Sequence, residues 1–349
     1  METQGPPCDD RVASGPAGHG RIEALDALRG MAALGILFYH YTTRYNQIYG
    51  HSAPLPFYVP AGRYGVMLFF MISGFVILMS LERTQSLLEF IIKRLARLYP
   101  TYWTAIALTF SAVALFGLPG REVPLPVALL NGLMFHPLFK VADVDGAYWT
   151  LMVELIFYAM MALLLMLRLL PRVEWVMALW LLVNTLENYN LLIEVPEAAE
   201  RWLILEYAHL FVMGIVFYRL RRSGGSLLRY GLLAACFAYH LSVTATLAER
   251  IAVLLFMGAF FLINAGRLKA IAVPPLLGLG AISYPLYLIH QNIGYVVIRA
   301  LEGREVSPAA SIVAATGVAI GLAVLISGFV ERPGFRWVMA QYRRLGPPP

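Results

Sequence analysis

The chain has 349 residues, of which 59% are hydrophobic and only 14% are charged. Soluble domains lie nearer to about 45–50% apolar and about 25% charged residues. This composition excludes a soluble globular protein and predicts a polytopic membrane protein. The net charge of +6 does not indicate nucleic-acid binding, because in a membrane protein the placement of basic residues mainly sets the topology.

Three regions are expected along the chain. Residues 1–20 are polar and rich in Gly and Pro, without the apolar core of a cleavable signal peptide, and predict a flexible cytoplasmic tail. A transmembrane domain is expected over 21–340, followed by a second cytoplasmic tail over 341–349.

The hydropathy pattern predicts an all-α fold with about ten transmembrane helices. The predicted spans are 24–43, 64–81, 98–117, 147–170, 174–192, 202–220, 227–247, 250–265, 276–299 and 308–330. The apolar segment 126–139 is too short to span and predicts an interfacial or re-entrant piece.

The positive residues indicate the orientation. Eighteen Lys and Arg residues fall in the tails and in the loops on the same side, eight fall on the opposite side, and Arg29 lies within the first span. Because cytoplasmic loops carry the excess of positive charge, both termini are expected in the cytoplasm.

Arg29 and His40 lie eleven residues apart in the first predicted helix. Eleven residues make about three helical turns, so both side chains share one face, roughly 16 Å apart. Ionisable groups within a membrane helix are costly and mark functional sites by default. An imidazole is also the best general base near neutral pH, although a structural histidine is an equally open interpretation for His40 alone.

A basic cluster precedes the third predicted span. Arg94 and Arg97 are three residues apart on one helical face, next to Lys93. Paired guanidinium groups fit phosphate oxygens, which favours a phosphate-bearing ligand at the cytoplasmic side. Ordinary positive-inside topology or contact with anionic lipids explains the cluster as well.

Further polar residues lie in or beside other spans. Glu154, five residues after Trp149, is expected at a depth similar to that of His40, where its carboxylate could orient the imidazole or pair with another cation. Tyr287 and His290 share one face of the ninth span, which Pro285 should kink. Glu331 ends the tenth span and could form an ion pair with Arg29 or Arg94.

Several other chemistries lack a sequence signal. The chain has no phosphate-binding loop, no serine-hydrolase elbow and no paired-ligand metal motif, so neither a metal site nor a bound cofactor is predicted. His209 and His240 stand alone in apolar spans and are interpreted as structural.

Taken together, these motifs and their order resemble the acyltransferase 3 family of bacterial integral-membrane O-acyltransferases. The segments that carry the resemblance are Leu28–Gly30 with His40, Phe69–Phe75, Lys93–Trp103, Trp149–Glu154, Ser283–His290 and Glu331–Pro333. Lys93 and Leu98 replace an arginine and an isoleucine of the family pattern. Leu155 stands where many members have a second acidic residue.

The resemblance implies transfer of an acyl group, usually acetyl from acetyl-CoA as co-substrate, to a hydroxyl. The expected acceptor is a carbohydrate of the cell envelope or an exported glycan, and the expected location is the lipid bilayer of the inner membrane. Separate glycan-synthesis proteins are possible partners.

The residues receive expected roles accordingly. Arg29, Arg94 and Arg97, assisted by Lys93, would hold the CoA phosphates. His40 would act as general base or acyl carrier, oriented by Glu154. Trp149, Tyr287 and His290 would line the channel or the acceptor side, and Glu331 would be structural. The alternative is a transporter or glycan exporter, which would also need buried charges; a scaffold would explain neither Arg29 nor His40.

Overall fold

The computed structural model describes residues 22–84, 86–191 and 197–344. Regular structure in these ranges is entirely helical, and no strand occurs within them. The α-helices are α1 (Glu23–Phe38), α2 (Tyr45–Ile48), α3 (Gly65–Leu81), α4 (Leu87–Phe116), α5 (Leu125–Asn131), α6 (Trp149–Met166), α7 (Val173–Asn188), α8 (Glu197–Leu203), α9 (Ala208–Ser223), α10 (Leu227–Val243), α11 (Leu247–Asn264), α12 (Pro274–Ala281), α13 (Ser283–Glu302), α14 (Pro308–Ile326) and α15 (Arg332–Arg344).

Two π-helical turns join consecutive helices without a break. One, Tyr39–Arg44, continues α1 into α2, and the other, Ser327–Glu331, continues α14 into α15. A π turn holds an extra residue and is often found at functional sites. His40 and Glu331 both lie in such turns, where a simple helical pattern predicts none.

The all-α membrane architecture is confirmed at a coarse level. Each predicted span overlaps a helix, and in the described part of the chain six helices are long and apolar enough to cross a membrane. These are 60–81, 87–116, 149–166, 200–223, 247–264 and 308–344. The count of ten spans and the cytoplasmic position of both termini stay predictions. The N-terminal tail and residues 345–349 lie outside the described residues.

Helix α4 begins eleven residues before the predicted third span. Ser86 caps it by accepting a hydrogen bond from the backbone N–H of Glu89 at 3.1 Å. Glu89 also forms an ion pair with Lys93 one turn later. The basic cluster is therefore part of a 30-residue helix and does not precede it.

The ninth predicted span is divided in two. Helix α12 ends at Ala281 and α13 begins at Ser283, with a break at Ile282. Pro285 lies in the first turn of α13, where a missing N–H breaks no helical hydrogen bond. The expected kink at Pro285 is therefore replaced by a break three residues earlier.

The segment predicted as interfacial or re-entrant contains α5, whose end packs against the middle of α4. Tyr102 and Trp103 donate hydrogen bonds to the carbonyls of Asn131 and Gly132 at 2.9 and 3.0 Å, and Tyr99 donates to that of Leu133 at 3.2 Å. These side chains satisfy carbonyls that a helix end leaves unpaired.

Helices α3 and α9 form the centre of the bundle. Within their spans, 61% and 72% of the residues are buried, compared with 22% in α11. The two helices cross closely because glycines meet backbone there: a Cβ on Gly74 would contact the Phe211 carbonyl, and one on Gly214 would contact that of Met71. Small residues at such crossings allow close backbone approach in membranes.

We expect Gly214→Ala to destabilise the protein, because the added methyl group cannot fit without moving α3 away from α9. Overpacking of this kind costs about 1–3 kcal/mol. The melting temperature of the purified protein in detergent should fall. Gly231→Ala in α10 is the matched control, since its Cβ would meet no atom within 4 Å. Equal melting temperatures for the two variants would contradict this account of the crossing.

Candidate functional site

Two histidines from opposite ends of the chain meet at the centre of the candidate site. His40 lies in the π turn after α1, and His290 lies in α13, almost fully buried. Nδ1 of His40 is 3.0 Å from Nε2 of His290, and the ring centroids are 4.8 Å apart. The structure therefore joins a predicted catalytic residue to one that was expected only to line the channel.

The neighbouring carbonyls fix the direction of this hydrogen bond. Nδ1 of His290 lies 2.7 Å from the Tyr287 carbonyl oxygen, which can only accept, so His290 carries its proton on Nδ1. A neutral His290 then presents an Nε2 lone pair to His40. Nδ1 of His40 donates to that lone pair and to the Ile36 carbonyl at 3.0 Å. A neutral His40 consequently keeps the lone pair on its Nε2.

The next residue along the chain, Tyr41, holds the two helices together. Its hydroxyl donates to the His290 carbonyl at 2.8 Å, and its ring lies against Gly294, where a Cβ would collide with it. Tyr41 is fully buried. The π turn and α13 are thus fixed on both sides of the histidine pair.

The loop before α6 contributes a buried carboxylate. Asp145 accepts hydrogen bonds from the backbone N–H of Asn292 at 2.9 Å and of Ala147 at 3.0 Å. The Asn292 side chain also donates to the Val144 carbonyl at 2.9 Å. Burial raises the pKa of Asp145 to about 6. The hydrogen bonds that it accepts favour the ionised form and oppose this increase. Asp145 therefore anchors α13 two residues beyond His290.

A cavity of about 90 Å³ lies beside the histidine pair, between α1, α3, α4, α6 and α13. Three predicted site residues, Arg29, Arg97 and Glu154, converge on it from three different helices. Asp26 also approaches Arg29, at 3.6 Å. Ser73, Thr150 and Tyr287 add hydroxyl groups to the wall, so a cavity with a largely apolar surface carries several polar and charged groups.

Glu154 contacts other groups than His40. Its carboxylate accepts hydrogen bonds from Ser73, at 3.1 Å, and from the Tyr158 hydroxyl. The expected orientation of His40 by Glu154 is therefore not seen; His290 and the Ile36 carbonyl occupy that place. Ser73, which lies within the segment Phe69–Phe75 that carries part of the resemblance, binds Glu154 directly.

Arg94 lies behind this cavity and does not line it. Its guanidinium donates to the Ser80 hydroxyl at 2.7 Å and lies over the ring of Tyr158, 5.8 Å from its centroid. Because Tyr158 binds Glu154, Arg94 is connected to the cavity through one side chain. Arg94 and Arg97 thus have different environments although they share a helix.

The remaining predicted residues lie farther from this cavity or at its edge. Lys93 pairs with Glu89 at 2.5 Å on the surface of α4. Glu331 forms no ion pair with Arg29 or Arg94; its electrostatic neighbours are Arg97 and Arg332. Trp149 packs against Phe70 and Tyr207 and lines a different cavity.

Tyr287 stands between the charged cavity and the histidines. One side of its ring faces the cavity and Phe69, with ring centroids 5.9 Å apart, and His290 lies 5.7 Å away. Its hydroxyl is 2.9 Å from that of Thr150. Tyr287 therefore contacts both the charged cavity and the histidine pair.

Sequence reasoning missed Asp145 and the pairing of His290 with His40. The Asp145-Gly146 pair, which ends three residues before Trp149, was the available signal for Asp145, since such turns place a carboxylate at a fixed position. No local pattern signals the histidine pair, because its members are 250 residues apart.

Comparison with known proteins identifies the family of the chain. The family model described as "Acyltransferase domain" matches residues 22–328. The chain belongs to the acyltransferase 3 family. It is accordingly an acyltransferase, and the resemblance inferred from the motifs is confirmed. No solved structure gave a significant match.

Two curated relatives of this acyltransferase come from rhizobia. It is 30% identical over 295 residues to the exopolysaccharide production protein ExoZ of Rhizobium meliloti (strain 1021), covering 79% of this chain and 90% of that protein. It is 26% identical over 277 residues to nodulation protein 10 of Rhizobium leguminosarum bv. viciae, covering 67% and 72%.

The site offers acid–base and anion-binding chemistry. No group of three or more His, Cys, Asp or Glu residues that could hold a metal ion occurs among the described residues. This acyltransferase provides an imidazole with an available lone pair and, in a separate cavity, two converging guanidinium groups.

Asp145 predicts a pH dependence of stability. Its folded pKa of about 6 lies above the reference value of 3.8, so the folded state binds the proton more tightly. Stability from this group is therefore greatest below about pH 4 and is lost as the pH rises through about 6, by about 1–3 kcal/mol.

The measurement is the melting temperature of the wild type and of Asp145→Asn in detergent from pH 4 to pH 7. The margin of the wild type over the variant should shrink as the pH rises, because asparagine does not titrate. A margin that stays constant or grows would contradict the raised pKa.

Proposed function

We propose that this acyltransferase moves an acyl group, most often acetyl, from acyl-CoA at the cytoplasmic side to a hydroxyl of a carbohydrate acceptor. The observation that carries the proposal is the hydrogen-bond chain from His40 through His290 to the Tyr287 carbonyl. This chain orients the His40 ring and leaves Nε2 with a lone pair, as a general base requires.

In the general-base mechanism, Nε2 of His40 takes the proton from the acceptor hydroxyl as its oxygen attacks the thioester carbonyl. The C–S bond then breaks, and the proton on His40 passes to the departing CoA sulfur. The positive charge that His40 carries in between is stabilised by donation from Nδ1 to His290 and to the Ile36 carbonyl.

In the covalent alternative, Nε2 attacks the thioester itself. An acyl-imidazolium forms as the C–S bond breaks, and CoA leaves as the thiolate. The acceptor hydroxyl then attacks the acyl group, its proton passes to the CoA thiolate, and the neutral imidazole is returned. The same hydrogen bonds support this route, since a protonated Nδ1 leaves Nε2 as the nucleophile. Label retained on the protein after incubation with labelled acetyl-CoA would favour it.

The charged cavity supports donor binding. Arg29 and Arg97 meet there from α1 and α4, and paired guanidiniums suit phosphate oxygens. Glu154, held by Ser73 and Tyr158, would keep these side chains in place in the absence of donor. Arg94 would act through Tyr158. The acyl arm would then pass Tyr287 to reach His40.

The carbohydrate acceptor is supported by the relatives. One relative bears the name of an exopolysaccharide production protein, and the alignment covers most of both chains. An extracytoplasmic glycan also fits the predicted orientation, in which His40 lies toward the outer end of α1. We place the protein in the inner membrane on the same grounds.

Replacement of His40 by alanine should abolish CoA release from acetyl-CoA, because the reacting nitrogen is lost. His290→Ala should lower kcat strongly, by about 10²–10⁴-fold, since it leaves the His40 ring without its orienting partner. The assay measures free thiol released by purified protein in lipid nanodiscs.

His290→Gln is the informative companion variant, because its side-chain oxygen can still accept from Nδ1 of His40. Partial rescue of kcat relative to His290→Ala is expected. Wild-type turnover by His40→Ala would show that the chemistry occurs elsewhere.

Arg97→Gln should raise the KM for acetyl-CoA. A hydrogen bond to a charged group is worth about 1.5–3 kcal/mol, so an increase of roughly tenfold or more is expected. Arg267→Gln is the matched control: it removes the same charge from an exposed loop predicted to face the same side. A similar KM for both variants would assign Arg97 to topology and not to donor binding.

A further inference from the structure

A second, larger cavity lies on the other side of α3 and α6 from the charged cavity. Its volume is about 670 Å³, within the range of about 300–1,000 Å³ typical of ligand sites. Neighbouring residues face the two cavities: Val66 and Thr150 line the first, and Met67 and Trp149 line the second. The second cavity is therefore separate from the donor site but adjacent to it.

The ends of four helices form its wall. The C-terminal ends of α7 and α10 and the N-terminal ends of α9 and α11 contribute Asn184, His209, His240 and Glu249 among others. In the predicted orientation these ends lie on the same side as His40. The cavity and the reacting histidine thus open toward the same compartment.

The wall carries polar atoms without partners. Nδ2 of Asn184 and Nδ1 of His209 have no hydrogen-bond partner within the described part of the chain, and both residues are more than nine-tenths buried. The Tyr239 hydroxyl donates a hydrogen bond to the side-chain oxygen of Asn184 at 3.1 Å. The side-chain N–H groups of Asn184 are therefore free to donate. Unpaired buried polar groups are costly and call for a ligand or water.

His209 and His240 are not isolated, contrary to the expectation from sequence. Nε2 of His209 lies 3.1 Å from Nδ1 of His240, and His240 is 3.4 Å from the Thr244 hydroxyl. The two histidines are part of the polar wall of this cavity and do not pack in an apolar core.

The charge of the wall selects among ligands. Four glutamates line it (Glu187, Glu200, Glu206 and Glu249), against one arginine, Arg201. A phosphate or carboxylate ligand would be repelled. The carboxylates and amides of the wall can bind the hydroxyl groups of a ligand. The rings of Trp149, Tyr207 and Tyr239 can pack against the apolar faces of its rings. Both features suit a carbohydrate.

Two contacts relate the surroundings of this cavity to the segment that carries His40. Tyr64 follows the segment Pro60–Gly62 and shares a hydrogen bond with Thr246, just before α11, at 3.2 Å. Gly62 packs against Gly35 and Tyr39 of the helix that carries His40. One connector, 60–64, therefore lies between the two sites.

We propose that this cavity binds a segment of the carbohydrate acceptor built from uncharged or amine-bearing sugar units, while another unit of the same acceptor reaches His40. The inference rests on the proposed acyl transfer to a carbohydrate and names where the acceptor is held. Acidic sugar polymers are excluded by the glutamates.

The test is calorimetric titration of the full chain in nanodiscs with tetramers of glucose, glucosamine and galacturonic acid. Binding of the glucose or the glucosamine tetramer is expected, and none of the galacturonic acid tetramer. Glu249→Gln should weaken binding at least about fivefold, because it removes a charged acceptor but keeps the shape.

Glu305→Gln is the matched control, an exposed glutamate in a loop predicted on the same side. It should bind as the wild type does. Asn184→Leu is a second cavity variant and should also weaken binding. It keeps the inference testable if Glu249→Gln disturbs the fold.

His40→Ala separates this inference from the proposed function, since it should lose CoA release yet bind the tetramer as the wild type does. Equal binding by Glu249→Gln, Asn184→Leu and Glu305→Gln would overturn the inference. So would binding of the galacturonic acid tetramer, or no binding of any tetramer at millimolar concentration.

Discussion

The hydrogen bond between His40 and His290 is the contact on which the candidate site depends. It joins the π turn after α1 to α13, and it makes one imidazole the orienting partner of the other. Tyr41 and Asp145 both strengthen this junction, since Tyr41 donates to the His290 carbonyl and Asp145 accepts from the Asn292 N–H of α13. A site built this way needs no carboxylate next to the reacting histidine, because a neutral imidazole nitrogen and a carbonyl accept the Nδ1 proton.

The charged residues form a second group of side chains, with contacts separate from those of the histidine pair. Arg29 and Arg97 face a small cavity, and Glu154 lies with them, fixed by Ser73 and Tyr158. Buried cations are tolerated only where they are paired or face a cavity, so an arrangement of two arginines and a carboxylate can persist within the bundle. Arg94, although equally basic, is held by Ser80 and Tyr158.

The sequence predicted these residues better than it predicted their partners. Arg29, Arg97, Glu154 and Tyr287 were all singled out, and the structure brings them to one cavity. Glu154 was expected to orient His40 because the two residues were predicted at a similar depth in the membrane. A similar depth does not show that two side chains lie on the same side of the helix bundle. His209 and His240 looked isolated for the same reason: each is alone in its own helix, and only the packing of α9 against α10 brings them together.

By itself, the sequence determined the all-helical membrane class and the family, and it singled out the charged residues that line the first cavity, because hydropathy, charge and motif spacing are properties of short segments. Only the tertiary structure decided which side chains meet. It alone shows the pairing of His40 with His290, the π turn that carries His40, the break at Ile282 and the second cavity. The physical reason is that partners within a membrane bundle are set by close contacts, such as that of Gly74 with the Phe211 carbonyl, between helices far apart in the chain.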